Sequence, residues 1–248
     1  MLADESPALR EALLAIMDRK HHGAFVHLTR PGLGRHQLLV HFRHEYATYV
    51  RDFPVLLARV LGQGPPDDVR AALAENIFEE QTGKLSIGRP HPQLFLTMME
   101  GLGFTREDFA RDDGLVPEAI AYRGFLDRVS VDPPWIVGAA VLTIFVEGSV
   151  HERAELDGTR VTLPVEEAIA AHPMVAHYGC PPDRMMLLRA HRAIEGEHRA
   201  DAWRSVMGHA SRLGAEARIA DAVERAHALW VAYRDGVARA MGVPVLPI

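Results

Sequence analysis

Helical periodicity runs through almost the whole chain, and it narrows the possible folds more than any other feature. Apolar residues recur three and four positions apart, and the strict alternation typical of half-buried strands is hard to find. In the clearest segment, from His36 to about Leu61, the predicted core face consists of Leu38, Leu39, Phe42, Tyr46, Tyr49, Val50, Phe53, Leu56, Leu57 and Val60. Pro54 would kink this segment or split it, because proline lacks an amide hydrogen. The pattern predicts an all-α fold.

Proline and glycine mark the ends of the other predicted helices, since proline is favoured in the first turn and glycine just after the last. The remaining predicted helices cover about 7–20, 66–83, 91–104, 117–129, 135–156, 164–171, 181–203 and 214–241. No segment looks like a linker and no internal repeat is visible. We therefore expect seven to eight main helices around one core, with the short helix over 164–171 in addition, in a single domain over residues 1–248.

The composition is that of an ordinary globular protein, with 248 residues, 48% of them hydrophobic and 24% charged. The net charge is −6 and the arginines are scattered, so no nucleic-acid partner is expected. The longest apolar run, 135–146, is too short to span a bilayer, so no membrane partner is expected either. Cys180 is the single cysteine, which excludes an internal disulfide. With no signal-like N-terminal segment, these features favour the cytoplasm.

The stretch HRAIEGEH, residues 191–198, places two imidazoles and a carboxylate at helical spacing. His191, Glu195 and His198 lie within about 60° of one another on an α-helix, and so on one stripe. Such a stripe is either half of a metal site or a hydrated surface, where Glu195 would pair with neighbouring arginines. The stretch by itself does not decide between the two.

Other acids and histidines stand at the ends of apolar helices. Glu147 directly follows AAVLTIFV, where a buried carboxylate needs a partner, although a solvated helix exit is also possible. Glu80 lies near the end of one predicted helix and His91 begins the next, so both side chains can point into one cavity. Glu79 or Glu75 could take the place of Glu80.

Together these positions supply three carboxylates and three imidazoles inside a predicted bundle: Glu80, His91, Glu147, His191, Glu195 and His198. That composition suits a non-haem di-iron or di-manganese site, and no thiolate is needed. The Glu-x-x-His repeat of ferritin-like proteins is not evident, which indicates a different helical scaffold.

Three segments carry a resemblance to a known family: LAENIFEEQTG…HPQLFLTMMEGLGF, FVEGSVHER and LLRAHRAIEGEHRADAW. From about residue 36 to 203 the chain resembles the haem-oxygenase-like iron-containing redox enzymes. That superfamily includes the pyrroloquinoline-quinone-biosynthesis oxidase and the thiaminase II proteins. The resemblance implies an up-and-down helical bundle, with the C-terminal helix (about 214–241) packed on it. It also implies that the six residues listed above are metal ligands.

The chain departs from the family pattern in two places that bear on its chemistry. Glu195 stands where many members carry aspartate, which lengthens the ligand arm by one methylene. Asp157 stands where members that sacrifice a lysine to make 4-aminobenzoate carry that lysine, so this chemistry is not expected.

The predicted function is that of a non-haem di-iron oxidase or oxygenase that uses O₂ to oxidise a small, amino- or fatty-acid-like molecule. One or both of two iron ions would be bound at rest, with manganese as the alternative metal, and the electron donor is not indicated. Tyr46, Tyr49 and Arg192 are candidates for the substrate pocket. A homodimer is compatible with such a bundle. The alternatives are a cofactorless oxidase that resembles the quinone-biosynthesis enzyme, and a non-enzymatic helical ligand-binding protein.

Overall fold

The computed structural model describes residues 6–247, apart from the side chains of Glu195 and Glu197. Over this range the chain contains helices and no β-strand. In chain order the α-helices are α1 (Pro7–Met17), α2 (Phe25–Leu28), α3 (Arg35–Glu45), α4 (Phe53–Leu61), α5 (Asp67–Thr82), α6 (His91–Gly101), α7 (Pro117–Val131), α8 (Trp135–Ala139), α9 (Glu152–Leu156), α10 (Val165–Ala171), α11 (Pro173–Ala176), α12 (Met186–Ala210) and α13 (Glu216–Met241). The predicted all-α fold class is confirmed.

Most helices begin and end where proline and glycine indicate. Prolines stand in the first turns of α1, α4, α6 and α7, where the missing amide hydrogen would have no helical partner. Gly83 and Gly242 follow α5 and α13 with positive φ angles of 62° and 69°. Glycine adopts this conformation without the steric cost that a side chain imposes. Gly83 and Pro92 thereby mark the end of α5 and the start of α6, which carry Glu80 and His91.

Two segments are wound as π-helices rather than α-helices. Tyr46–Val50 continues α3, and Ala140–Val146 continues α8. A π-helical turn contains an extra residue, so side chains after it are rotated relative to an α-helix. Both segments border the cavity described below, and neither was predicted from the sequence.

The π-helical segments change two predicted boundaries. The sequence predicted that Pro54 would either kink or split the segment from His36 to Leu61. The segment is split, just before Pro54. The predicted continuous helix over 135–156 is wrong, because the π-helical segment ends at Val146 and α9 begins separately at Glu152. His151 consequently does not share a helix face with Glu147, and it is exposed.

The apolar interior consists of two clusters of buried side chains. The larger cluster includes α1, α4, α7, α8 and α13, and the smaller one is built around Phe42, Phe95 and Met99 of α3 and α6. The C-terminal helix α13 packs against α7, α3 and α1. Among the described residues, no helix is both long enough and apolar enough to cross a membrane.

Candidate metal centre

A cavity of about 200 Å³ lies where the two apolar clusters meet. Its walls come from α5, α6 and α12, the first π-helical segment, and the second π-helical segment with the residues that follow it. The lining residues are Tyr49, Val50, Phe53, Glu80, His91, Thr143, Val146, Glu147, Gly148, Glu152, Leu187, His191, Ile194, His198 and Arg199. A mainly apolar enclosure around a few polar groups is typical of an active site.

Five of the six predicted ligands lie on the wall of this cavity: Glu80, His91, Glu147, His191 and His198. The rings of His91 and His191, from α6 and α12, are 5.1 Å apart between centroids. The sixth predicted ligand, Glu195, belongs to α12, but its side chain lies outside the described residues. The fold therefore brings together residues from four distant parts of the chain.

The loop between α5 and α6 brings His91 against two carboxylates. A Cβ atom at Gly83 would lie 2.1 Å from the carbonyl oxygen of Arg89, so only glycine permits this close return of the chain. Glu80 Oε1 lies 2.8 Å from His91 Nδ1, and Glu79 Oε1 lies 3.1 Å from His91 Nε2. The tight loop thus places the imidazole between the last two acids of α5.

Glu79 and Glu80 differ in what they face. Glu79 is completely buried and accepts hydrogen bonds from the Leu85 amide (2.7 Å), the Ser86 hydroxyl and His91 Nε2. Burial opposes its ionisation, but the hydrogen bonds outweigh that effect and lower the pKa of Glu79. Of the acids on α5, Glu80 is the one that lines the cavity, whereas Glu75 is exposed. Glu79 therefore orients the imidazole of His91 from behind.

Glu147 is held by a residue that the sequence did not single out. The side-chain amide of Asn76 donates a hydrogen bond to Glu147 Oε1 at 2.8 Å. Asn76 is buried on α5, one turn before Glu80. The amide of Glu147 bonds to the Leu142 carbonyl at 3.2 Å, which is the five-residue spacing of a π-helix. Asn76 and the π-helical turn together set the position of this carboxylate.

A half-buried lysine, Lys20, lies against the end of the second π-helical segment. Lys20 Nζ donates to the carbonyl oxygens of Phe145, Val146 (3.1 Å) and Gly148 (2.6 Å). Burial lowers the pKa of Lys20 to about 7, so the amine is only partly protonated near neutral pH. Helix ends leave carbonyl groups without partners, and the Lys20 amine supplies donors to them. Lys20 thereby stabilises the backbone on both sides of Glu147.

Glu152 lies on the cavity wall and was not predicted from the sequence. It is 1% exposed and accepts hydrogen bonds from Trp203 Nε1 (2.8 Å), Arg199 Nε (3.2 Å) and the Ser149 amide (3.3 Å). Trp203 and Arg199 lie on α12, the helix of His191 and His198. Glu152 therefore ties α9 to α12 and has both oxygens engaged, as a structural brace rather than an open ligand.

The three residues predicted to line the substrate pocket lie in different places. Tyr49 lines the cavity. Tyr46 instead stacks on Phe95 in the smaller apolar cluster, with 5.5 Å between ring centroids. Arg192 is exposed and donates to the Leu163 carbonyl oxygen at 3.2 Å. Tyr46 and Arg192 are thus placed away from the cavity.

Two imidazole nitrogens on the wall are suited to bind a metal. His198 Nε2 is buried without a hydrogen-bond partner among the described residues. The same holds for His91 Nδ1, because the nearby Glu80 oxygen is close but poorly aligned for a hydrogen bond. Burial lowers the pKa of His198 and favours its neutral form, the form that binds metals. These nitrogens, with the carboxylates of Glu80 and Glu147, fit an iron site.

The candidate metal-binding side chains do not form a complete coordination site in this structure. Within the described residues, and so without the Glu195 side chain, no three His, Cys, Asp or Glu side chains are close enough to hold a metal ion. His91 contacts carboxylates with both nitrogens, and although burial opposes its protonation, Glu80 and Glu79 raise its pKa. A metal ion at His91 would have to displace the proton that this raised pKa favours, so metal binding would release a proton.

Comparison with known proteins agrees with this fold. A crystal structure of a TenA homologue from Pseudomonas syringae pv. tomato matches 95% of this chain and 90% of its own, with a TM-score of 0.66 and 16% sequence identity. The architecture is therefore haem-oxygenase-like. The sequence model of a family described as iron-containing redox enzyme matches residues 40–231. The chain belongs to this family of iron-containing redox enzymes. No curated protein matches the chain at a significant level.

Proposed function

We propose that this protein is a non-haem di-iron oxidase or oxygenase that uses O₂ to oxidise a small molecule. The observation that carries the proposal is the convergence of Glu80, His91, Glu147, His191 and His198 on one cavity. These residues come from four separate parts of the chain. Membership of the iron-containing redox family supports the same chemistry.

Within this proposal the six predicted ligands hold the metal: Glu80, His91, Glu147, His191, Glu195 and His198. Iron bound there supplies the electrons and the coordination position that O₂ chemistry needs. Glu147 bonds to Asn76 of α5, and the π-helical segment before it packs against α12, so its carboxylate would be available beside the other donors. Glu79 and Asn76 orient His91 and Glu147, as the residues behind metal ligands commonly do.

The apolar part of the wall keeps water away from the reaction. Val50, Phe53 and Ile194 line the cavity beside the polar groups. A dry, enclosed site strengthens the electrostatic interactions inside it and protects reactive species from water. Apolar side chains would therefore surround part of the place where a bound substrate is oxidised.

Iron binding and oxygen reactivity test the proposal directly. The metal-free protein is incubated with Fe(II) without oxygen, bound iron is quantified per chain, and the absorption spectrum is followed after O₂ is added. We expect close to two irons per chain and an oxygen-dependent band. Both are lost in a folded His191→Ala variant and retained in His36→Ala, which changes an exposed histidine of α3. Iron at background level in the unchanged protein would refute the proposal.

A cofactorless oxidase is the second candidate, and the environment of His91 favours it. An imidazole between two carboxylates, with a raised pKa, is equipped to move protons without a metal. This candidate predicts that the metal-free protein consumes O₂ with an electron-rich substrate. It also predicts that added Fe(II) has no effect.

A further inference from the structure

A second cavity of about 500 Å³ adjoins the candidate metal centre. The two cavities share part of their walls, formed by Tyr49, Val50, Leu187 and His191. Most other residues around the second cavity are apolar, and among the described residues Glu45 is its one Asp, Glu, Lys or Arg. The larger cavity therefore leads from a single charged group to the predicted metal ligands.

One oxygen of Glu45 is held by the protein and the other is available. Glu45 Oε1 accepts hydrogen bonds from Tyr49 Oη at 2.9 Å and from Arg234 Nη2 at 2.5 Å. No described residue donates a hydrogen bond to Oε2. Burial on its own would raise the pKa of Glu45, but the charge of Arg234 lowers it to about 2. The cavity wall thus presents an ionised carboxylate with one free oxygen.

Arg234 is fixed behind this carboxylate and does not line the cavity. Its guanidinium carbon lies 4.9 Å from the ring centre of Phe25, 5.3 Å from that of Trp230 and 4.8 Å from that of Tyr233. Contacts of a cation with three aromatic faces and with Glu45 restrain the arginine on all these sides. A ligand in the cavity therefore meets the negative oxygen rather than the positive guanidinium.

The histidines near Glu45 do not compete for its free oxygen as cations. His41 Nε2 is 3.9 Å from Glu45 Oε1, and burial lowers the pKa of His41 to about 4. Burial also lowers the pKa of His172, which accepts a hydrogen bond from the Met174 amide. Both rings are neutral at physiological pH, so neither histidine occupies Glu45 Oε2 as a cation.

We propose that the larger cavity binds the substrate through a primary ammonium group that pairs with Glu45 Oε2. That this ligand is the substrate rests on the proposed oxidase function. In that case the carbon to be oxidised must lie at the wall that the two cavities share. The shared wall includes the predicted ligand His191, and most of the other residues around the larger cavity are apolar. An apolar chain would therefore join the ammonium group to the oxidised carbon. A carboxylate head group would be repelled at the same place.

Binding to the metal-free protein tests this proposal without any need for iron. Isothermal titration compares hexylamine, 1-hexanol and hexanoate, which share one chain length and differ in the head group. A hydrogen bond to a charged partner favours the amine over the alcohol by about tenfold, equal to about 1.4 kcal/mol. Hexanoate is expected to bind most weakly.

The Glu45→Gln variant keeps the shape of the side chain and removes its charge. We expect the preference for the amine to fall to about unity, while the affinity for 1-hexanol stays within about threefold. Glu107→Gln, which changes an exposed carboxylate, should retain the full preference. If the single variant does not fold because Arg234 loses its partner, the double variant Glu45→Gln/Arg234→Met removes both charges and replaces it.

Equal binding of amine and alcohol by the unchanged protein would overturn the proposal, and so would tightest binding of hexanoate or no binding of any probe. A preference that persists in the folded variants would overturn it too. Because these titrations contain no metal, failure of the iron experiment would leave the amine site intact. Loss of the amine preference would likewise leave the metal centre intact.

Discussion

Replacement of Glu152 by alanine probes how the cavity wall is held in place. The carboxylate is buried, and its partners Trp203 and Arg199 both belong to the helix of His191 and His198. Alanine leaves the indole N–H without an acceptor, at a cost of about 1–3 kcal/mol. Breaking a buried charge pair costs about 3–5 kcal/mol, but Arg199 keeps a second partner, Glu155. The expected total is about 3–5 kcal/mol.

Thermal and urea unfolding measure this loss. For a chain of this size, 3–5 kcal/mol corresponds to a fall in Tm of about 6–20 °C. Glu152→Gln should cost less, about 1–2 kcal/mol, because its amide oxygen still accepts from Trp203. The matched control is Glu224→Ala, which breaks an exposed pair with Arg19 and should cost about 1 kcal/mol or less.

Two results would refute the assignment of Glu152 as a brace. The first is a free energy of unfolding for Glu152→Ala within about 0.5 kcal/mol of that of the Glu224→Ala control. Loss of a buried carboxylate that accepts three hydrogen bonds should cost more than that. The second is loss of iron binding in a fully folded Glu152→Gln protein. That outcome would make Glu152 a metal ligand.

Three further predictions concern the neighbouring structure. Asn76→Leu removes the donor to Glu147 and should weaken iron binding about 10–100-fold in a chelator competition, whereas unchanged affinity would contradict this orienting role. Gly148→Ala should destabilise the protein by more than about 2 kcal/mol in urea unfolding, because the new Cβ would lie 2.2 Å from a carbonyl oxygen. The control Gly124→Ala should not destabilise it, because only a flexible side chain lies near that position. The pKa of Glu45 is about 2 in the folded protein and about 4.5 in the unfolded chain. Ionised Glu45 therefore stabilises the folded protein fully above pH 4.5, and this contribution is lost as the pH falls towards 2. Over that range the unchanged protein should lose about 3 kcal/mol more than Glu45→Gln, and equal losses would contradict the buried ion pair.

Local patterns in the sequence determined the helical class and the positions of the donors along the helices. Prolines and glycines mark helix ends through the conformations they permit, and Gly83 is a clear example. The spacing of His191 and His198 places both on one face of a single helix, and both do line the cavity. These features depend on neighbours within a few residues, so the sequence is enough to predict them.

The groups that hold and extend the site depend on contacts between distant segments. Glu152 meets Trp203 across 51 residues, and Tyr49 meets Arg234 across 185. No local spacing encodes such pairs, because they exist only once the helices have packed. The π-helical turns before Glu147 also escape a search at 3.6 residues per turn, since one extra residue rotates everything after it by about 100°. The sequence therefore determined the helices and the donor types, whereas packing alone decided which buried charges meet and where each carboxylate points.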